Sequence, residues 1–225
     1  VVDFVTGQKV MVPLAGPANK QGRIAADNVC GIPSKYKNTQ GSSILKAFDL
    51  TVATTGINEK TAKRLGLDYE KQFTYSASHA GYYPGAVNMS VKTIYEKSTG
   101  KILGAQIVGY DGVDKRCDVL ATAIRAGMTA YDLTELELAY APPFGSAKDP
   151  VNMLGFADEN LHTATSLTHQ WHQLAQAQDS VAVLLDVHSP AEFAAGAIPG
   201  AINMPVDELR QRIDDVGQPG RLLFF

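Results

Sequence analysis

Ser98-Thr99-Gly100 lies between two runs, Val87–Lys97 and Lys101–Tyr110, that both read as β-strands. Strands joined by so few residues can pair in only one way, folded back on each other as an antiparallel hairpin. Gly100 supplies the backbone freedom such a turn needs. Any fold of this chain must therefore hold an antiparallel ladder near its middle. Phe73–Ser78 and the alternating run Phe48–Thr54 read as further strands. Val1–Val5 and Lys9–Val12, flanking Thr6-Gly7-Gln8, read as a second hairpin.

Helices punctuate these strands. Pro17 opens one that runs to about Cys30, with Gly31 at its stop. Its face carries Ala18, Gly22, Ala25 and Ala26, small enough to admit another backbone or a flat ligand. Residues 32–46 read as loop and short turns. Asn58 caps a short helix that stops at Gly66. From about Gly112 to Ala126, Val113, Cys117, Leu120 and Ile124 form one apolar stripe at near-helical spacing. A shorter helix follows Thr129, and another spans roughly Asp149–Ala157. The pattern is α+β, an antiparallel sheet backed by helices.

The second part of the chain is built differently. Residues 160–180 hold His162, His169 and His172 among polar residues and Ala. His169 and His172 could face a metal together, but no carboxylate or Cys completes a site, and a polar linker helix is the better reading. Val181–Val187 is an almost continuous apolar run, as expected of a buried parallel strand. A short helix from Ser189, a turn at Ile198–Ala201, a strand from Ile202 to Met204 and a helix over Pro205–Ile213 follow. This alternation is the opening of an α/β domain. Charge changes at the same place: residues 1–150 carry 17 Lys and Arg against 14 Asp and Glu, the remainder 3 against 9. Such a step marks a boundary near residue 160.

Composition excludes several classes. At 45% apolar and a net charge of −3, the chain is neither disordered nor a plausible nucleic-acid binder. No run approaches the roughly 20 apolar residues of a membrane span, and no signal peptide opens the chain. Cys30 and Cys117 have no metal-type spacing and form no disulfide framework, which suits a reducing, cytoplasmic setting. Each reads as a small core residue. The chain opens without Met and ends on the apolar run Arg221–Phe225, so a piece of a longer chain is expected.

Four places could carry chemistry. Val12-Pro-Leu-Ala-Gly-Pro-Ala-Asn-Lys20 leads into the small-faced helix, whose free N–H groups could hold an anion or a ring carbonyl. Asn19, Lys20 and Arg23 add donors there, although an ordinary capped helix is the favoured reading of the segment taken alone. His79-Ala-Gly-Tyr82-Tyr83-Pro84-Gly85 sets two adjacent Tyr residues between strands, awkward to bury together; packing is the favoured reading and projection of one towards a ligand or partner the alternative. In Ala139-Tyr140-Ala-Pro-Pro-Phe144-Gly-Ser146-Ala-Lys148-Asp149, two prolines stiffen a loop and fix Tyr140, Phe144, Ser146 and Lys148 in place. Lys148 could meet a phosphate or simply be solvated. The fourth segment runs from Leu185-Asp186-Val187-His188 to Met204-Pro205; its own residues show no chemistry.

Val12-Pro-Leu-Ala-Gly-Pro-Ala-Asn19 and Tyr140-Ala-Pro-Pro-Phe-Gly-Ser-Ala-Lys-Asp-Pro-Val-Asn152 resemble the pyridine-nucleotide disulfide oxidoreductases. The closest subgroup comprises coenzyme A-disulfide reductases, NADH oxidases and NADH-dependent persulfide reductases. Leu185-Asp-Val187, Glu192-Phe193 and Ile198-Pro-Gly-Ala-Ile-Asn-Met-Pro205 resemble a rhodanese domain. The fusion points to the coenzyme A-disulfide or persulfide reductase type.

The resemblance implies a division into 1–40, the tail of an FAD-binding domain; 41–160, a dimerisation domain; 161–178, a linker; and 179–225, a partial rhodanese-like domain. It implies FAD, NADH or NADPH and coenzyme A as cofactors or substrates, and a homodimer. Leu14 and Ala15 would contact FAD through backbone, with Tyr140 and Phe144 beside the flavin. Asn19 and Arg23 would lie near the coenzyme A channel and Lys148 at its phosphates. Tyr82 and Tyr140 would reach into the partner's active site as catalytic residues.

The departures are equally specific. The dinucleotide fingerprint, the redox Cys and the NADH-binding domain are absent from this sequence. The rhodanese-like part stops before its Cys loop, has His188 where Arg is usual, and Ala197 where Gly-His-Ile-Pro is usual. Neither Cys30 nor Cys117 matches a catalytic position. The segment alone is therefore not expected to turn over. A non-catalytic dimerisation module and a sulfurtransferase are the alternatives.

Overall fold

The computed structural model describes residues 1–174, 182–216 and 221–224. The chain divides into two units, Val1–Ser166 and Leu167–Phe225.

In the first unit, α1 (Ala15–Val29) precedes β1 (Ser43–Ala47), β2 (Leu50–Gly56), α2 (Glu59–Arg64), β3 (Tyr69–Ala77), β4 (Asn88–Glu96), β5 (Ile102–Gly109), α3 (Val113–Ala126), a 3-10 turn (Tyr131–Glu135) and α4 (Pro150–His162). The strands form one antiparallel sheet in the order β1-β2-β5-β4-β3. The β4–β5 hairpin turns at Ser98-Thr99-Gly100, as the sequence requires.

One face of the sheet supplies Ala53, Met89, Val91, Tyr95, Ala105 and Ile107 to the core. The α3 stripe of Val113, Cys117, Leu120 and Ile124 packs there, with Val151 and Leu154 of α4. Each of these larger aliphatic side chains contributes about 1.5–3 kcal/mol on burial. A smaller cluster of Ile57, Ala62, Ile94 and Leu103 holds α2. Close backbone approach sets one requirement: a Cβ at Gly104 would sit 1.9 Å from the Ile57 carbonyl oxygen.

Several expectations are corrected. The N-terminal hairpin shrinks to a single bridge, Val2 to Lys9. The Asp3 carboxylate accepts Val5 N at 3.0 Å and Thr6 N at 2.7 Å, which curls the chain locally instead. β1 occupies residues assigned to loop, because Ser-Ile-Leu-Lys-Ala has no alternation to reveal it. Phe48 starts no strand; it takes φ 55° in the tight turn from β1 to β2 and is fully exposed. Cys117 is buried, which pushes its thiol up to about 11. Cys30 is exposed and not a core residue, since it caps α1, a helix with no buried residue.

Among the described residues, no linker helix spans residues 163–170. α4 runs on to His162 and stops at Thr163, with Ala164 at φ 55°. A single 3-10 turn, Trp171–Gln173, follows, and residues 175–180 lie outside the described ones. His162 packs on Tyr131 at 4.9 Å between ring centroids and His172 stands edge-on to Trp171 at 5.6 Å.

In the second unit, β6 (Ala182–Asp186), α5 (Pro190–Ala195), β7 (Ile202–Asn203), α6 (Val206–Arg212) and β8 (Arg221–Phe224) follow in order. β6 lies between β7 and β8 and is parallel to both, as its apolar run implied. Val181 of the expected strand and Phe225 of the terminal apolar run fall outside the described residues. Among the described residues, no helix is long and apolar enough to cross a membrane.

Candidate active site

Two loops of the first unit meet at one end of the sheet. The first leaves β3 at Ser78 and carries His79, Tyr82 and Tyr83 back to β4. The second carries Tyr140, Pro142, Pro143 and Phe144 towards α4. The Ala80 amide donates to the Gly145 carbonyl at 2.9 Å, so the loops are joined backbone to backbone. Within the first, the buried His79 ring lies 3.0 Å from Ser78 Oγ and 3.3 Å from the Pro84 carbonyl oxygen, and stands edge-on to Tyr83. Within the second, the Phe144 amide donates to the Ala141 carbonyl at 2.8 Å, closing a turn over the two prolines.

The tips of these loops bring Tyr82 and Tyr140 together. Their hydroxyls are 3.0 Å apart. Both rings stay accessible, Tyr82 at 78% and Tyr140 at 46%, as does Phe144 of the second loop at 71%. The hydrogen bond to Tyr82 raises the Tyr140 phenol above its ordinary value, so it holds its proton more tightly. In such a pair one O–H is spent on the neighbour. The other remains free to donate to a third group.

At the bases of these loops, Arg116 and Asp149 are both buried, at 1% and 3%. The guanidinium donates through Nε to Asp149 Oδ1 at 3.3 Å and through Nη2 to Oδ2 at 2.8 Å. Asp149 also caps α4, and its own amide donates to Asn152 Oδ1 at 3.1 Å. Lys148, the residue before it, is exposed, with its ammonium 5.7 Å above the Phe156 ring.

The residues expected at a flavin form a separate group. Leu14 is the half-buried N-cap of α1 and Ala15 its first residue. No side chain caps this terminus and no acidic residue occupies its first turn. Asn19 and Arg23 line a cleft of about 1070 Å³ between α1, residues 34–42 and α3. Arg23 pairs with Asp27 at 2.9 Å. Leu14 faces a smaller cleft of about 380 Å³ with Met11, Pro13 and Asn58. The structure thus joins Tyr82 to Tyr140 and leaves Leu14, Ala15, Asn19 and Arg23 apart from them. Sequence reasoning missed Arg116. Its partners Asp149 and Ser78 lie 33 and 38 residues away, a pairing no local pattern reveals.

Residues 43–150 match the family model described as the pyridine nucleotide-disulphide oxidoreductase dimerisation domain, and residues 168–222 match the rhodanese-like domain. The coenzyme A disulfide reductase of Staphylococcus epidermidis is 40% identical over 146 residues, which is 64% of this chain and 33% of that protein. The structure of reduced Bacillus anthracis CoADR-RHD is similar at 50% identity and a TM-score of 0.94, over 99% of this chain and 40% of that one. A NAD-dependent persulfide reductase from A. fulgidus is similar at 38% identity and a TM-score of 0.91, over 99% and 40%. The chain therefore spans about a third of the curated relatives it matches. The chain thus carries, in order, the dimerisation domain of the pyridine nucleotide-disulphide oxidoreductase family over residues 43–150 and a rhodanese-like domain over residues 168–222.

Proposed function

We propose that the chain is the C-terminal part of an FAD-dependent NAD(P)H reductase that acts on coenzyme A disulfide or persulfide. The observation that carries this reading is the exposed pair of phenols, Tyr82 and Tyr140, held 3.0 Å apart on stiffened loops. In the family reading, residues 1–40 close an FAD-binding domain, 41–160 form the dimerisation domain, 161–178 link, and 179–225 begin a rhodanese-like domain. The protein works as a cytoplasmic homodimer, and each tyrosine pair reaches its partner's flavin.

The residues present fit such a cofactor. The start of α1 offers N–H groups free of any side-chain cap, with the cations Lys20 and Arg23 further along the same helix. A Cβ at Gly16 or Gly22 would meet nothing within 4 Å, so this helix leaves room for a ring or chain beside it. When bound, the flavin supplies two-electron transfer from reduced nicotinamide to a sulfur–sulfur bond. The chain's own residues do the rest. Leu14 and Ala15 meet the isoalloxazine through backbone. Tyr140 and Phe144 shield it from water. The free phenolic O–H of the pair donates to the departing thiolate and can give it a proton. Asn19 and Arg23 line the approach of the thiol, and the Lys148 ammonium takes a phosphate of coenzyme A.

The test is made on the full-length protein. It should be yellow and should consume NADH or NADPH when given coenzyme A disulfide or persulfide. Y82F and Y140F should keep the flavin spectrum and lower kcat by about 10²-fold, the lower end for a lost proton donor. A colourless protein that consumes no reduced nicotinamide rejects the reading.

A further inference from the structure

We propose that Arg116, through Asp149, is the positioning residue of the tyrosine pair: one buried guanidinium fixes the distance between the two loops that carry Tyr82 and Tyr140. The proposal rests on the reading of that pair as the functional site, and none of the similarities above assigns Arg116 a role.

The argument is geometric. Arg116 lies in the first turn of α3 and serves three separate parts of the chain. Nη2 donates to the Ser78 carbonyl at 2.9 Å, where the Tyr82 loop leaves β3. Nε and Nη2 grip both oxygens of Asp149, where the Tyr140 loop enters α4. Nη1 donates to the Gly112 carbonyl at 3.2 Å, which ties the guanidinium to its own helix start. Lys115 stands next to it as a weaker brace, 3.5 Å from the Ala139 and Phe144 carbonyl oxygens and 3.7 Å from Asp149 Oδ2.

A planar fork with fixed N–H directions can hold these partners at once; a lysine ammonium at the same place cannot. A buried ion pair is a weak device for stability, because desolvation offsets the attraction. Its worth here lies in orientation. The loop tips have little else to hold them, since Tyr82 and Phe144 are largely exposed. Their mutual position is therefore inherited from the loop bases, and the bases meet on Arg116 and on the bond from the Ala80 amide to Gly145.

The experiment uses the full-length protein with 13Cζ-labelled tyrosine, with the signals of Tyr82 and Tyr140 assigned through Y82F and Y140F. In the wild type, Tyr140 should ionise at higher pH than in Y82F. R116K should bring the Tyr140 titration down to the Y82F position while leaving that of the buried Tyr95 unmoved. Its kcat should fall by about 10–10²-fold with KM nearly unchanged, as expected for a displacement of about 1 Å. D149N, whose side chain still caps α4, should shift both readouts in the same direction and decides the matter if R116K does not fold. Folded variants that retain the wild-type Tyr140 titration and kcat, whatever their loss of Tm, overturn the proposal. If Y82F itself leaves Tyr140 unchanged, the tyrosine pair is not coupled in solution and the underlying reading fails instead.

Discussion

Asp158 lies fully buried on α4, against the helix-covered face of the sheet. Its Oδ2 accepts from Thr93 Oγ1 at 3.3 Å, and its Oδ1 has no hydrogen-bond partner among the described residues. Burial pushes its carboxyl up to about 8, against a weaker opposing effect of Thr93. The folded chain then keeps a proton that the unfolded chain has released. This contribution to stability is complete below about pH 4 and is lost as pH rises towards 8, by at most about 1.4 kcal/mol per unit. D158N is neutral throughout, so the stability of the wild type relative to D158N should fall by about 2 kcal/mol or more between pH 5 and pH 8. Urea unfolding at the two values checks this, and an unchanged difference would show that Asp158 is ionised in the folded state. Legibility at this scale was uneven. Tyr82, Tyr140 and Phe144 stood out because prolines and adjacent aromatics are local signals. Arg116 and Asp158 did not, because burial is a property of the packed chain. Cys30 read as core and is exposed, because small apolar residues fit either place.

The elements show which patterns are strong enough to read. The β4–β5 hairpin and α3 were legible, since a short turn and an apolar stripe each leave one solution. β1 was missed because its own residues carry no alternation; β2 defines it by pairing. Residues 163–170 form no helix, since polar residues with no apolar stripe gain nothing from packing a helix against a core. The sheet also contains a contact no propensity implies, the approach of Gly104 to the Ile57 backbone. G104A should destabilise the first unit by about 3 kcal/mol, the upper end for over-packing, because the obstacle is backbone and cannot rotate away. Thermal unfolding read by circular dichroism checks it; a Tm within one degree or so of the wild type would mean that the strands part at small cost.

At the scale of the molecule, two units of different construction share one chain. The first owes its core to an antiparallel sheet with helices on one face; the second has β6 between two parallel neighbours. The charge step falls near residue 160, and the structure divides the chain after Ser166. An exposed tyrosine pair serves the proposed reductase only if another subunit receives it. The full-length protein should therefore sediment as a dimer down to low micromolar concentration, and a strict monomer at high concentration would leave the pair with no flavin to reach.

The amino-acid sequence by itself determined the antiparallel hairpin, the α3 stripe, the change of architecture near residue 160 and the two stiffened aromatic loops. These depend on neighbours in the chain, on turn geometry and on periodicity, all of which are local. Only the tertiary structure decided that Tyr82 and Tyr140 share a hydrogen bond, that Arg116 grips the bases of both loops, and that Asp158 is sealed from water. Those facts depend on residues far apart in sequence reaching the same point in space, and on the low dielectric that packing creates around them.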